Sequence, residues 1–202
     1  MVNHAAQPVL LGFLRHGEVA GAAHVYRGRS DAPLTPRGGK QMHAALAALP
    51  VWSAIVSSPA RRCLDFAHAI AAERRIDCTI DPDWHELDFG VWENLQPDEA
   101  ELRDANAHAA FVRDPRRHPP PGGETLDALD ARVSAALARL GATARTSTLV
   151  VTHAGAMRAV LAHVLGLTDA YRARVALTPA SSFVISWLAG APPLLLSLRC
   201  AD

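Results

Sequence analysis

The chain has 202 residues, half of them apolar, with 20 acidic and 20 basic residues and a formal net charge of zero. That is enough chain for one domain over residues 1–202 with a sizeable core, and balanced charge gives no global field to gather nucleic acid or a membrane surface. Cys63, Cys78 and Cys200 are widely spaced and form no Cys-x-x-Cys pair, which argues against a disulfide framework or structural zinc and for reduced thiols in a cytoplasmic protein. No basic stretch followed by a long apolar segment opens the chain, and no apolar run approaches the roughly 20 residues that span a bilayer. All basic residues except Lys40 are arginine, a skew read with the alanine excess as composition bias.

In chain order, the apolar run 9–14 stops abruptly at Arg15 and His16 and reads as a buried strand. Its carboxyl end is where open α/β sheets bind ligands. An imidazole beside a fixed guanidinium suits a phosphoryl acceptor; the alternative is a histidine that merely caps its strand. Residues 36–49 read as a helix with Thr35 as N-cap and Pro36 at the first position. Ile55-Val56-Ser57-Ser58 ends a short strand, and Pro59 opens a helix over 59–72. Arg62 then falls about one turn in and faces the strand end, where a guanidinium can grip phosphate through two parallel bonds. Arg61, about 100° further round the helix, reads as a surface residue. Residues 76–80 read as a short strand.

The segment from Trp84 to Glu93 is not periodic. A carboxylate flanked by aromatic and aliphatic side chains has its pKa raised by desolvation and can serve as a general acid; an ordinary loop with solvated acids is the competing reading. Residues 97–112 predict an alanine-rich helix with His108 exposed. Residues 114–123 carry Pro115, Pro119, Pro120 and Pro121, which forbid regular structure and predict a loop over the pocket. Arg113, Arg116 and Arg117 near it are either anion contacts or a solvated run.

Residues 125–140 predict a helix with Leu126, Leu129, Val133, Leu137 and Leu140 on one face. Thr148-Leu149-Val150-Val151-Thr152-His153 repeats the strand-then-histidine pattern. The helix after it offers free N–H groups and a positive dipole end beside His153, an anion site. Residues 182–187 read as a strand and 194–198, after Pro192-Pro193, as an edge strand. Of the other histidines, His4 lies in a start read as disordered, and His43, His68 and His163 fall in helices. His24 is a candidate to line the pocket and His85 to tune the acid. No His-Glu-x-x-His-like metal spacing is present. Strands alternating with helices predict a three-layer α/β sandwich, a mostly parallel central sheet with helices on both faces.

Arg15-His16-Gly17, Ser57-Ser58-Pro59 with Arg62, Glu86-Leu87-Asp88-Phe89-Gly90 with Trp92-Glu93, and Thr152-His153-Ala154-Gly155 together resemble the histidine phosphatase superfamily, with its phosphoglycerate mutase-like fold. Gly28-Arg29-Ser30-Asp31-Ala32-Pro33-Leu34-Thr35, with Gly38 and Gln41, and Pro121-Gly122-Gly123-Glu124-Thr125 add to the resemblance, which runs from residue 9 to about 187. It implies that His16 is the nucleophile that becomes phosphohistidine, that Arg15, Arg62 and His153 form the phosphate pocket, and that Glu86 protonates the leaving oxygen. Gly28, His24 and Glu124 become candidate substrate contacts. The chain departs from the family pattern at Asn94, where glycine is usual, at Thr125, where serine is more usual, and at Arg27, which adds charge near the pocket mouth.

The chemistry is coherent on its own terms. Neutral imidazole avoids the repulsion between a phosphate dianion and an anionic nucleophile. The cationic cradle stabilises the transferring group's oxygens, so no metal or other cofactor is required. The short chain has no room for a large cap, and Glu-Leu-Asp-Phe-Gly-x-Trp-Glu looks most like the α-ribazole phosphatases of cobalamin assembly and the fructose-2,6-bisphosphatase-like group. A small phosphorylated metabolite, α-ribazole 5′-phosphate first, is the expected partner. The alternatives are a broad sugar-phosphate phosphatase and a phosphoglycerate mutase. A non-enzymatic phospholigand-binding module is disfavoured, since binding needs neither nucleophile nor acid. Oligomeric state is not legible, a homodimer being the commonest assembly.

Overall fold

The computed structural model describes residues 7–200; His4, at the start read as disordered, lies outside them. Six strands form one sheet in the order β3-β2-β4-β1-β5-β6. Four of them, β1 (Val9–Arg15), β2 (Ala54–Ser57), β3 (Asp77–Ile80) and β4 (Thr148–Thr152), are mutually parallel, while β5 (Ser182–Trp187) runs antiparallel to β1, and β6 (Leu194–Arg199) antiparallel to β5. The sheet is mostly parallel, as expected, and its four parallel strands are the part that carries the motifs. The short link between β5 and β6 leaves no room for a crossover, so that pair must be a hairpin.

The period-2 alternation of the strands separates two cores. Leu11, Phe13, Val150, Phe183 and Ile185 face a cluster completed by Trp84, Leu129, Val133, Leu137 and Met157, the last four from α5 (Leu126–Thr143) and α6 (Ala154–Leu165). Leu14, Ile55, Leu149, Val151 and Val184 face the opposite cluster, with Met42 and Leu46 of α1 (Pro36–Ala47) and Phe66 and Ile70 of α2 (Arg61–Arg74). This is the predicted three-layer sandwich. Gly12 is required on the second face, where a Cβ would come within 2.4 Å of the Trp52 indole.

Capping follows the local sequence. The Thr35 hydroxyl accepts from the Gly38 N–H at 2.9 Å, and Thr125 accepts from Ala128 at 3.1 Å. Helix α2 starts two residues later than predicted, after Ala60, and the Asp31 carboxylate accepts from the Arg61 N–H at 2.8 Å in place of a local cap. The helix predicted over 97–112 is two helices, α3 (Pro97–Arg103) and α4 (Ala105–Arg113). Asp104 breaks it because it adopts extended backbone and caps α4 through the Ala107 N–H. A one-turn helix, α7 (Asp169–Arg172), follows α6. Among the described residues no helix is long and apolar enough to cross a membrane, and the three cysteines are free.

Candidate active site

The sheet topology brings the motifs together. β1 and β4 are adjacent and parallel, with Arg15 in register with Thr152, so His16 and His153 leave the same sheet edge side by side. Their rings lie 5.3 Å apart, edge to face. β2 is the next parallel neighbour and delivers Ser58 to the same edge, with α2 carrying Arg62 behind it.

Each ring has a definable proton arrangement. The Gly17 carbonyl can only accept, so His16 Nδ1 carries the proton it donates there at 2.8 Å, and Nε2 keeps its lone pair. Burial, followed by the charges of Arg15 and Arg62, holds this imidazole well below the usual histidine range. Arginine can only donate, so His153 Nδ1 accepts from Arg62 Nε at 3.2 Å and Nε2–H donates to Ser58 Oγ at 2.7 Å. Burial and the Arg62 charge hold this ring neutral as well. His85 stacks on His153 with centroids 6.2 Å apart and planes 8° apart, and its Nδ1 is buried with no partner among the described residues. Burial and the charges of Arg29 and Arg62 push His85 down to about 4. A third imidazole thus joins the predicted pair.

The two arginines are held differently. Arg15 donates to the Leu177 carbonyl, and its Nε is buried with no partner among the described residues. Arg62 is fully buried. It donates to the Ser30 carbonyl at 2.6 Å, the Gly28 carbonyl at 2.7 Å and His153. Three of its five N–H groups are therefore committed, leaving two for an anion. Cys63 Sγ lies 3.7 Å from His153 Nε2, but burial pushes its thiol up to about 12, so it contributes no thiolate.

Glu86 reaches this edge from a loop between two single-turn 3₁₀ segments, Pro82–Trp84 and Gly90–Trp92. Its carboxylate accepts from its neighbour Leu87 N–H at 3.0 Å and from Gly155 N–H at 3.0 Å. One free first-turn donor of α6, Gly155 N–H, in the turn predicted as an anion site, thus holds the protein's own carboxylate.

Two residues that sequence reasoning missed fix this loop. Arg132 donates to the carbonyls of Asp83, His85 and Glu86 at 2.7, 2.8 and 3.0 Å. Glu93 accepts from the backbone N–H groups of Gly28, Arg29, Ser30 and Phe89, all within 3.2 Å. The signal for Glu93 was its place in the Trp-Glu pair; Arg132 left none, because it serves three main-chain carbonyls and a carboxylate eight residues away rather than a motif.

The remaining candidates fall as follows. Glu124 is paired with Arg132 at 2.6 Å, which makes it a brace for the Glu86 loop. Gly28 is buried, and a Cβ there would come 2.0 Å from the Leu87 carbonyl, so its small size lets two loops touch. His24 is exposed, in the left-handed region at φ +56, on the loop lining the cavity around His16. Arg116 belongs to no solvated run: it pairs with Asp127, with Asp130 at 2.7 Å and with Asp169 at 2.5 Å. His108, predicted exposed, is buried, because Tyr26 Oη takes its Nε2 at 2.9 Å and Trp92 packs edge-on against its ring. Asn94 adopts φ +64 and so keeps the left-handed turn a glycine would make.

A cavity of about 720 Å³ opens on Arg15, His16, Arg27, Glu86 and the 17–27 loop. A second, of about 370 Å³, shares Tyr26, Glu86 and Phe89 with it. Among the described residues no three metal-type side chains are grouped to hold an ion.

Comparison with known proteins agrees with this geometry. Residues 11–197 match the model of the histidine phosphatase superfamily, branch 1. A bifunctional protein of Mycobacterium tuberculosis is 35% identical over 161 residues, 78% of this chain and 42% of that protein. The chain thus spans less than half the length of that relative. A Salmonella paratyphi C protein named "Probable phosphoglycerate mutase GpmB" is 34% identical over 76% of this chain and 74% of its own. In structure, the α-ribazole phosphatase of Shigella flexneri superposes with a TM-score of 0.84 at 24% identity, covering 96% of this chain and 98% of its own. The mycobacterial glucosyl-3-phosphoglycerate phosphatase does so with a TM-score of 0.84 at 23% identity, over 96% and 100%.

Proposed function

The chain belongs to the histidine phosphatase superfamily, a family of phosphatase enzymes, and on that premise we propose that it hydrolyses small phosphate monoesters through a phosphohistidine on His16, with no metal. The observation that carries this reading is the ring of His16: buried, neutral, with its Nδ1 proton fixed on Gly17 and its Nε2 lone pair free beside Arg15. In the first step Nε2 attacks phosphorus and the ester P–O bond breaks. Glu86 delivers a proton to the departing oxygen. Arg15 and the two uncommitted N–H groups of Arg62 balance charge on the transferring oxygens. In the second step water attacks the phosphohistidine, Glu86 takes its proton, and the N–P bond breaks to release phosphate and neutral His16. His153 acts here chiefly by positioning, since both its nitrogens are engaged with Arg62 and Ser58.

On the string from Glu86 to Glu93 alone, α-ribazole 5′-phosphate is the first substrate to test. Phosphoglycerate mutase activity is the second reading, favoured by the 34% identical relative so named; it would require the phosphoryl group to be retained and returned. The test is rapid quench with a ³²P-labelled aryl phosphate in the presence of chelator. The wild type is expected to carry acid-labile, base-stable label on His16, and His16→Ala to carry none and to be inactive. Turnover without label on that ring, or undiminished activity in His16→Ala, would remove the proposal. A panel of α-ribazole phosphate, sugar phosphates and phosphoglycerates then ranks substrates, and exchange between 2- and 3-phosphoglycerate would favour the mutase.

A further inference from the structure

The second cavity has a composition that phosphate transfer alone does not call for. Its walls include Tyr26, Phe89, Phe111, Leu126 and Leu129, and it meets the His16 cavity at Glu86. The aromatic wall is fixed. Tyr26 lies 5.0 Å from Phe89 and 6.0 Å from Phe111, ring centre to ring centre. Its hydroxyl is held by His108 and its backbone by Asn94 and Leu95.

Three charged groups besides Glu86 also line this cavity, and two of them are neutralised within the fold. Arg172 places one nitrogen 2.8 Å from both carboxylate oxygens of Asp130. Asp169 is held by Arg116 at 2.5 and 2.9 Å. Arg158 is different. It sits one helical turn beyond Gly155, the residue that holds Glu86, and donates Nε to the Val175 carbonyl at 3.1 Å. Among the described residues no carboxylate lies within ion-pair distance of it. Its attractive charge partner is Glu86, which lies beyond ion-pair distance and which the proposed first step needs as the neutral acid. In that state a half-buried arginine is left without a charge to meet it, which is costly.

We infer that this cavity is the leaving-group subsite, and that it receives a flat apolar body ending in a carboxylate that pairs with Arg158, which moves the substrate from α-ribazole phosphate, whose leaving group has no carboxylate, to a carboxylated ester. The inference rests on the phosphatase reading for the position of the phosphoryl end. A flat ring suits the aromatic wall. A singly charged carboxylate matches one guanidinium bidentately, whereas a second dianionic phosphate would bring two charges against the one cavity arginine that no carboxylate pairs with at ion-pair distance among the described residues.

Calorimetry with two non-hydrolysable probes, benzylphosphonate and 4-carboxybenzylphosphonate, tests this independently of turnover. The wild type is expected to bind the carboxylated probe about tenfold more tightly. Arg158→Gln should erase that preference, while Arg139→Gln, on the exposed face beside Asp81 and Asp83, should retain it. Leu126→Glu, which puts a negative charge into the cavity wall, should also erase it, and covers the case in which Arg158→Gln does not fold. Equal binding of the two probes by the wild type, or a preference that survives in Arg158→Gln, overturns the subsite. The second result would leave Arg158 acting only on Glu86. A carboxylate preference in a protein that forms no phosphohistidine would instead sink the phosphatase reading and leave the subsite standing.

Discussion

Gly155 admits nothing larger than hydrogen, since a Cβ there would lie 2.1 Å from Glu86 Oε1. The same residue supplies the N–H that holds Glu86 Oε2. Gly155→Ala must therefore displace the carboxylate without changing any charge in the site. If Glu86 is the proton donor, kcat on an alkyl phosphate should fall by roughly 10²-fold, within the usual range for general acid catalysis. An aryl phosphate with an acidic leaving group, which needs little proton assistance, should slow far less, and Glu86→Gln should show the same split. Equal slowing of both esters by both variants would take the acid role from Glu86. At this scale the sequence was legible where residues end neighbouring strands or set a turn: Arg15, His16, Arg62 and His153 do converge, and Asn94 keeps the left-handed backbone. It was not legible where a side chain serves another segment. His108 is buried by a tyrosine 82 residues away, and nothing in an alanine-rich helix announces that contact.

Two loops, 28–30 and 84–93, depend on each other through main-chain groups. Glu93 gathers the N–H donors of residues 28, 29, 30 and 89, while Arg62 takes the carbonyls of residues 28 and 30 from the other side. One carboxylate and one guanidinium thus satisfy a segment that is neither helix nor strand. Glu93→Gln keeps the shape but removes the charge and replaces an acceptor with a donor. Charge-assisted bonds of this kind contribute about 1.5–3 kcal/mol each, and an orphaned donor costs about 1–3 kcal/mol. We expect a loss of about 2–3 kcal/mol, read as a lower urea midpoint at unchanged slope, with a fall in kcat/KM as Arg62 loses its frame. An unchanged midpoint would show that water replaces the carboxylate and that the loops hold without it. At the scale of elements, the strand-then-histidine pattern and the capped helices were readable because both are local periodicities. The break at Asp104 and the dependence of the 84–93 loop on Arg132 were not, because each is decided by competing hydrogen bonds rather than by hydrophobic spacing.

For the molecule as a whole, the zero net charge and the triple histidine cluster make one joint prediction. With no strong global field, the response of stability to mild acid is governed by local burial. His16 and His153 lie well below the usual histidine range, and His85 is pushed down to about 4. Unfolded histidines take up protons as pH falls through about 6.5, and the folded rings decline them. The unfolded state then binds more protons, so stability is full above about pH 6.5 and is lost as pH drops below it. Each fully buried ring contributes a slope of at most about 1.4 kcal/mol per pH unit. Urea midpoints at pH 7.5 and 5.5 isolate this effect, since carboxylates titrate mostly below that window. The midpoint should fall between those two values, and His16→Asn should flatten part of the fall by removing one such ring. A midpoint that does not move would mean that the cluster accepts protons in the folded state. The neutral His16 on which the proposed attack at phosphorus depends would then be lost in the same range.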